Sequence, residues 1–388
     1  MSINWGDLDV RVFAAQSWFS IAARFALDDL TIVDRLETLI ADPSPAVRLQ
    51  VAENLQILSE VTPDRMWAMG LRIAAHDPEP RVVTDYLNDS LVQFSSVELQ
   101  RCEEIVGIVN LRIDDGFDLE GQDGHALRQG VGSFAAQLVL QGSLVAGNWL
   151  SSWVAEPERY EQLLRAFVLS LRSPLFARYM DSDNPDSIAP CERAQGALSL
   201  ILSTLQPASH EARQICMSNA GEAERQASAL RYASAENIII IASAQLFFGS
   251  GAHGPIGHAP PGLPNDAAKR RFLADYADIL STIGRSHEPM ALHHLVELYE
   301  FLIAARPTQV FDALCAVLLG RGNEEGYHAE SLANTSVVRI IRRYVADHRA
   351  VFEDTARRAK LTEILRLFSS VGWSDALELL YDLPDLLR

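Results

Sequence analysis

Residues 42–58 read DPSPAVRLQVAENLQIL, and residues 77–94 read DPEPRVVTDYLNDSLVQF. The same Asp-Pro-x-Pro punctuation precedes an apolar pattern twice. In the first stretch Val47, Val51, Leu55 and Leu58 recur at the spacing of one helix face, with Ala52 alongside. Asp42 is placed to cap, and Pro43 or Pro45 fits a first helical turn, where a missing N–H leaves nothing unsatisfied. Upstream, TIVDRLETLIAD (31–42) is a second amphipathic helix. A connection this short makes the two antiparallel neighbours.

The pair recurs. TPDRMWAMGLRIAAHD (62–77) has the first-helix pattern and residues 78–94 the second. Residues 7–25, DLDVRVFAAQSWFSIAARF, read as a second-type helix without a first-type partner. Aligning Val10, Val47 and Val82 gives spacings of 37 and 35 residues. A helix–turn–helix unit at that interval marks an α-solenoid, in which each unit buries its apolar face only by stacking on the next.

The pattern Asp-x4-Val-Arg followed by an apolar, alanine-containing helix resembles the HEAT repeats, relatives of the armadillo type. Asp42 and Arg48 match both marked positions. Asp77 matches, but Val83 stands where the arginine belongs. Arg11 matches, but Trp5 stands where its aspartate belongs. The resemblance covers about residues 7–94. It implies a right-handed superhelix of helix pairs, a ladder between adjacent units built from such Asp and Arg residues, and a binding surface. Because two units lack half of the link, a partial ladder is expected.

Beyond residue 95 the repeat blurs while helical patterns continue, so the expected class is all-α throughout. The expected organisation is HEAT-like repeats over 1–113, degenerate helical repeats over 125–250, a Gly/Pro/His loop over 251–265 and further helical repeats over 266–388. Helices are expected at 190–206, 209–231 and 235–249. Residues 249–265, GSGAHGPIGHAPPGLPN, are too rich in Gly and Pro for a helix or a central strand. A loop of that length reads as a partner-contacting or mobile element whose deletion over 251–263 leaves the helices intact. Residues 288–387 resemble the C-terminal helical region of large bacterial multidomain proteins that carry a nucleotide-binding module upstream. That resemblance implies an upstream nucleotide-binding module or subunit as partner.

The chain has 388 residues, 51 acidic against 33 basic, for a formal charge of -18. Such a charge argues against general affinity for phosphate backbones and against docking on an anionic membrane. Two of the 33 basic residues are lysines, Lys269 and Lys360, a bias read as genomic. Cys102, Cys191, Cys216 and Cys315 form no CxxC, which fits free thiols in a reducing cytoplasm. Residues 131–150 and 238–248 are apolar runs, read as helices buried within a helical stack.

Motifs with chemical meaning are few. His293 and Glu297 in HHLVE share a helix face, but a third ligand is not visible and the reading is a polar surface with satisfied hydrogen bonds. His253 and His258 flank GPIG in the long loop and are candidates for partner contact. Arg339, Arg342 and Arg343 open a locally basic stretch (339–366). They are candidates for contact with a partner's anionic groups, against the alternative of salt bridges within an acidic chain. Gly130 and Gly132 in RQGVGSF lack the strand and Lys-Ser/Thr of a phosphate loop. Together with Gly142 and Gly147 they read as sites of close helix approach. No catalytic, cofactor-binding or metal-ligating set is expected. The reading is a non-enzymatic scaffold or adaptor for a protein partner. The alternatives are a regulatory region of a larger bacterial NTPase-type system, in defence or signalling, and a HEAT-like DNA-binding or DNA-repair protein, which the charge disfavours.

Overall fold

Prolines 45, 63, 80, 289 and 307 each occupy the first turn of a helix. The missing proline N–H falls where a helix has no internal acceptor for it. The computed structural model describes residues 10–115, 117, 119–180, 184–254 and 262–386. Those residues are all-α, and no strand occurs among them. The chain divides into two compact units, residues 1–150 with 162–170, and residues 151–161 with 171–388. No helix among the described residues is long and apolar enough to cross a membrane.

In the first unit, α1 (Val10–Phe25), α2 (Thr31–Leu39), α3 (Pro45–Asn54), α4 (Pro63–His76), α5 (Pro80–Asp85), α6 (Leu99–Asp115) and α7 (Gln122–Gln141) follow one another with short turns. A 3-10 segment, Leu55–Ser59, extends α3, and a π turn and a 3-10 turn carry α5 on to Phe94. α3 packs against α1 on one side and α5 on the other, and α5 in turn packs on α7; α4 packs against α6. α2 touches both α1 and α3. Val47, Val51, Leu55 and Leu58 are completely buried, so the stripe read from the opening stretch is core. Burial of four such side chains contributes roughly 6–12 kcal/mol before chain entropy is subtracted. α8 (Leu144–Ala155) and α9 (Pro157–Ser170) follow, residues 151–161 of them belonging to the second unit.

In the second unit, after α10 (Ala177–Met180), two long helices, α11 (Ile188–Met217) and α12 (Glu222–Ser250), pack along each other. The expected boundaries fail here. Pro207 sits inside α11, and no break occurs near residue 232; the chain turns instead at 218–221, with Gly221 as the N-cap of α12. Proline removes one hydrogen bond of a long helix, and burial of both helices outweighs that loss. Then come α13 (Asp266–Asp275), α14 (Ala277–Ile283), α15 (Pro289–Leu302), α16 (Pro307–Leu319), α17 (Arg321–Glu324), α18 (Ser331–Asp347), α19 (Thr355–Ser370) and α20 (Ser374–Leu386). Side-chain caps from Asn265 and Asp354 start α13 and α19. α15 packs on α12, α16 and α18, and α16 also on α19.

The expectation of a removable loop at 251–263 is corrected at its second end. Gly262 and Leu263 are buried, the Leu263 N–H donates to the Ser250 carbonyl at 3.2 Å, and a Cβ on Gly262 would collide with the Gly249 carbonyl and the Phe176 side chain. That stretch is part of the packed structure.

Candidate functional site

The four ladder residues form a chain of pairs in the first unit. Asp42 accepts from the Ser44 N–H at 2.8 Å and Asp77 from the Glu79 N–H at 3.0 Å, so both Asp-Pro-x-Pro turns close identically. Asp42 is therefore a turn former; the N-cap of α3 is Ser44. Arg11 reaches Asp42 at 3.3 Å. Arg48 grips Asp77 with two donors, at 2.7 and 3.1 Å, and donates to the Asp42 carbonyl at 2.9 Å. Arg11 and Asp77, which looked unmatched, find their partners in Asp42 and Arg48, because the arginine of one helix pair joins the aspartate of the next. The expected partial ladder is thus complete over Arg11, Asp42, Arg48 and Asp77.

A second ladder runs along the first-type helices, and sequence reading missed it. Arg65 of α4 reaches back to Asp34 and Glu37 of α2, both at 2.6 Å. Arg101 of α6 reaches back to Asp64 of α4 at 3.7 Å. The available signal was the repeated dipeptide Asp34-Arg35 and Asp64-Arg65. Arg35, the equivalent of Arg65, is exposed and has no acidic partner among the described residues.

α1 carries an apolar stripe on the outside. Val10 is 80% exposed, Phe13 53%, Ile21 39% and Phe25 52%. In the 37-residue register Val10, Ala14 and Ile21 align with Val47, Val51 and Leu58, all completely buried. Val47 is covered in a cluster with Val12, Ala15 and Ala46, against which Leu39 of α2 packs.

In the second unit, three of the five residues chosen from sequence line one depression of about 460 Å³: His253, Arg339 and Arg343, with Phe247, Ala252, Glu297, Glu300 and Phe301. Arg339 is already engaged, its guanidinium holding Glu300 at 2.7 Å and Glu297 at 2.8 Å. Arg343 and Lys269 donate to the carbonyls of Glu300 and Phe301, at 2.9 and 3.2 Å, at the C-terminal end of α15. Cations there satisfy carbonyls that lack helical partners and face the negative end of the helix dipole. The buried Nδ1 of His253 has no hydrogen-bond partner among the described residues. Arg342 is exposed and lies outside this depression. His258 falls outside the described residues.

The other motifs resolve into packing. His293 contacts the Tyr327 hydroxyl at 3.1 Å, and Glu297 accepts from Ser336 and Arg339. The Ser243 hydroxyl donates to the Ile240 carbonyl, so it accepts from Nδ1–H of His294, at 3.0 Å. His294 stacks on Phe247, and burial holds its pKa down to about 4. Of the glycines, Gly132 is a close approach, since a Cβ there would collide with the Leu163 carbonyl. Gly142 is instead a left-handed helix cap (φ 98°), Gly130 makes ordinary contacts and Gly147 faces open space. All four cysteines are free thiols, and burial pushes Cys102 and Cys315 up to about 12.

One buried polar group was not visible in the sequence. Glu236, 2% exposed, accepts from the Ser209 and Ser286 hydroxyls at 2.5 and 2.6 Å and from the His287 N–H at 3.3 Å. His287 contacts Glu325 through Nδ1 at 2.8 Å, and Arg213 also pairs with Glu325. Burial opposes ionisation of Glu325, but bonds from Arg213 and His287 outweigh it and hold the carboxyl below its ordinary value. These contacts tie α11, α12, the turn before α15 and the turn after α17 together. No group of three or more His, Cys, Asp or Glu side chains among the described residues is arranged to hold a metal ion. Comparison of the chain with protein-family models, with curated proteins and with solved structures finds no match.

Proposed function

We propose that this chain is a non-enzymatic α-solenoid scaffold, built of HEAT-like helix pairs in a right-handed superhelix, that binds a protein partner. The observation that carries the reading is the exposed apolar stripe of α1, whose counterparts on α3 are completely buried. Exposed apolar side chains gathered on one face of a helix mark an interaction surface. The two ladders support the repeat reading, because each joins successive helix pairs in one constant sense, arginine forward to aspartate in the first and arginine back to an acid in the second. The depression of the second unit supplies a further contact surface with both charge signs and two aromatic rings.

The test is capture and reconstitution. Immobilised full-length chain is exposed to lysate of its native host, and any retained protein is purified and rebound. The reading expects a protein that rebinds at fixed stoichiometry. Absence of any protein that rebinds stoichiometrically overturns it.

A further inference from the structure

We infer that the end of the first unit formed by α1 and α2 docks an amphipathic helix from another protein, one with an apolar stripe and a pair of carboxylates three residues apart. This deepens the scaffold reading and rests on it. Three observations specify the occupant. α2 lies against both α1 and α3, so a first-type helix fills the space between successive second-type helices. On the other side of α1 nothing among the described residues takes that place, and Val10, Phe13, Ile21 and Phe25 stay exposed. The aligned Val47, Val51 and Leu58 show how thoroughly a neighbouring helix on each side covers such positions.

Charge gives the second half of the specification. One arginine of α4 and one of α6 reach back to acids of the preceding first-type helix: Arg101 to Asp64, and Arg65 to Asp34 and Glu37. Arg35 is the next arginine of that series, exposed and without an acidic partner among the described residues. A helix seated beside α1 and α2 with carboxylates at the places of Asp34 and Glu37 completes the series. A second copy of this chain fits less well. Its own Asp34 and Glu37 are already held by Arg65, so a second copy brings no free pair of carboxylates to Arg35 from α2.

The probe is a helix-stapled peptide with the sequence of residues 31–42, TIVDRLETLIAD, which carries both features. Its binding to the full chain is read by fluorescence anisotropy. Saturable one-to-one binding is expected. Ile21→Asp should abolish it, and Arg35→Glu, a surface change that leaves the core untouched, should weaken it about fivefold. A peptide with Asp34→Lys and Glu37→Lys should recover that loss on the Arg35→Glu chain. No saturable binding, binding unchanged by Ile21→Asp, or no recovery by the swapped peptide overturns the inference. So does a dimer of the chain that Ile21→Asp dissociates. A captured partner whose affinity ignores Ile21→Asp and Arg35→Glu overturns the inference while the scaffold reading stands. Failure to capture any partner overturns the scaffold reading and the inference with it.

Discussion

Arg48 and Arg11 make the same kind of bond in different surroundings. The side chains of the Arg48–Asp77 pair are 11% and 2% exposed, and those of Arg11–Asp42 are 54% and 17% exposed. Removing one partner of a buried pair strands a charge, at about 3–5 kcal/mol, whereas an exposed pair contributes under about 1 kcal/mol. Arg48→Ala should therefore lower the urea midpoint sharply, and Arg11→Ala should barely move it. Equal shifts would show that the two rungs share one environment. His294 supplies a pH dependence. It is held at about 4 in the folded chain by burial, with His293 adding to the effect, against an ordinary value of 6.5. Between those values the unfolded chain holds the extra proton. Stability from this site is thus present above pH 6.5 and is lost as pH falls toward 4. His294→Phe keeps the stack on Phe247 and leaves Ser243 bonded to Ile240. Its melting temperature should fall less than that of the native chain between pH 7 and 4; an identical decline would contradict this assignment. At this scale Asp42, Arg48 and the Val47 stripe were readable, because local spacing encodes them. Their partners were not, because a bond across some 30 residues leaves no local pattern. Arg11 and Asp77 looked unmatched for that reason.

Helices were legible where an apolar period met a proline or an Asp-Pro turn, as at α3, α4, α15 and α16. They were misread where burial overrode a local breaker. Pro207 within α11 is the clearest case, since two helices packed along about thirty residues hold their course past one lost hydrogen bond. The described ends of the 251–265 segment are loop, as the composition announces, but its second end is packed: Leu263 is 1% exposed and bonded to Ser250. Leu263→Ala should cost about 2–5 kcal/mol, measured by chemical denaturation. A cost within about 0.5 kcal/mol would mean that this end of the loop is dispensable after all. The Glu236 cluster was invisible for a related reason. Ser209, Glu236 and Ser286 sit on three elements and carry no motif, and their contacts follow only from tertiary packing.

For the whole molecule, a charge of -18 and an apolar stripe on α1 set different rules for association. The net charge repels acidic surfaces and polyanions at long range, while the stripe and Arg35 select at contact. The all-α class follows directly from the periodicity. The proposal of a repeat architecture draws its support from the two ladders and from the 37-residue correspondence of exposed and buried positions between α1 and α3. The most direct test places a photo-crosslinking amino acid at position 21 of α1, with a control at exposed Arg366 on α19, and irradiates the chain in its native host. The account predicts an adduct from position 21 with a different protein, through a helix bearing paired carboxylates, and no such adduct from position 366. Adducts from position 21 solely with the chain itself, or the same adducts from both positions, would contradict it.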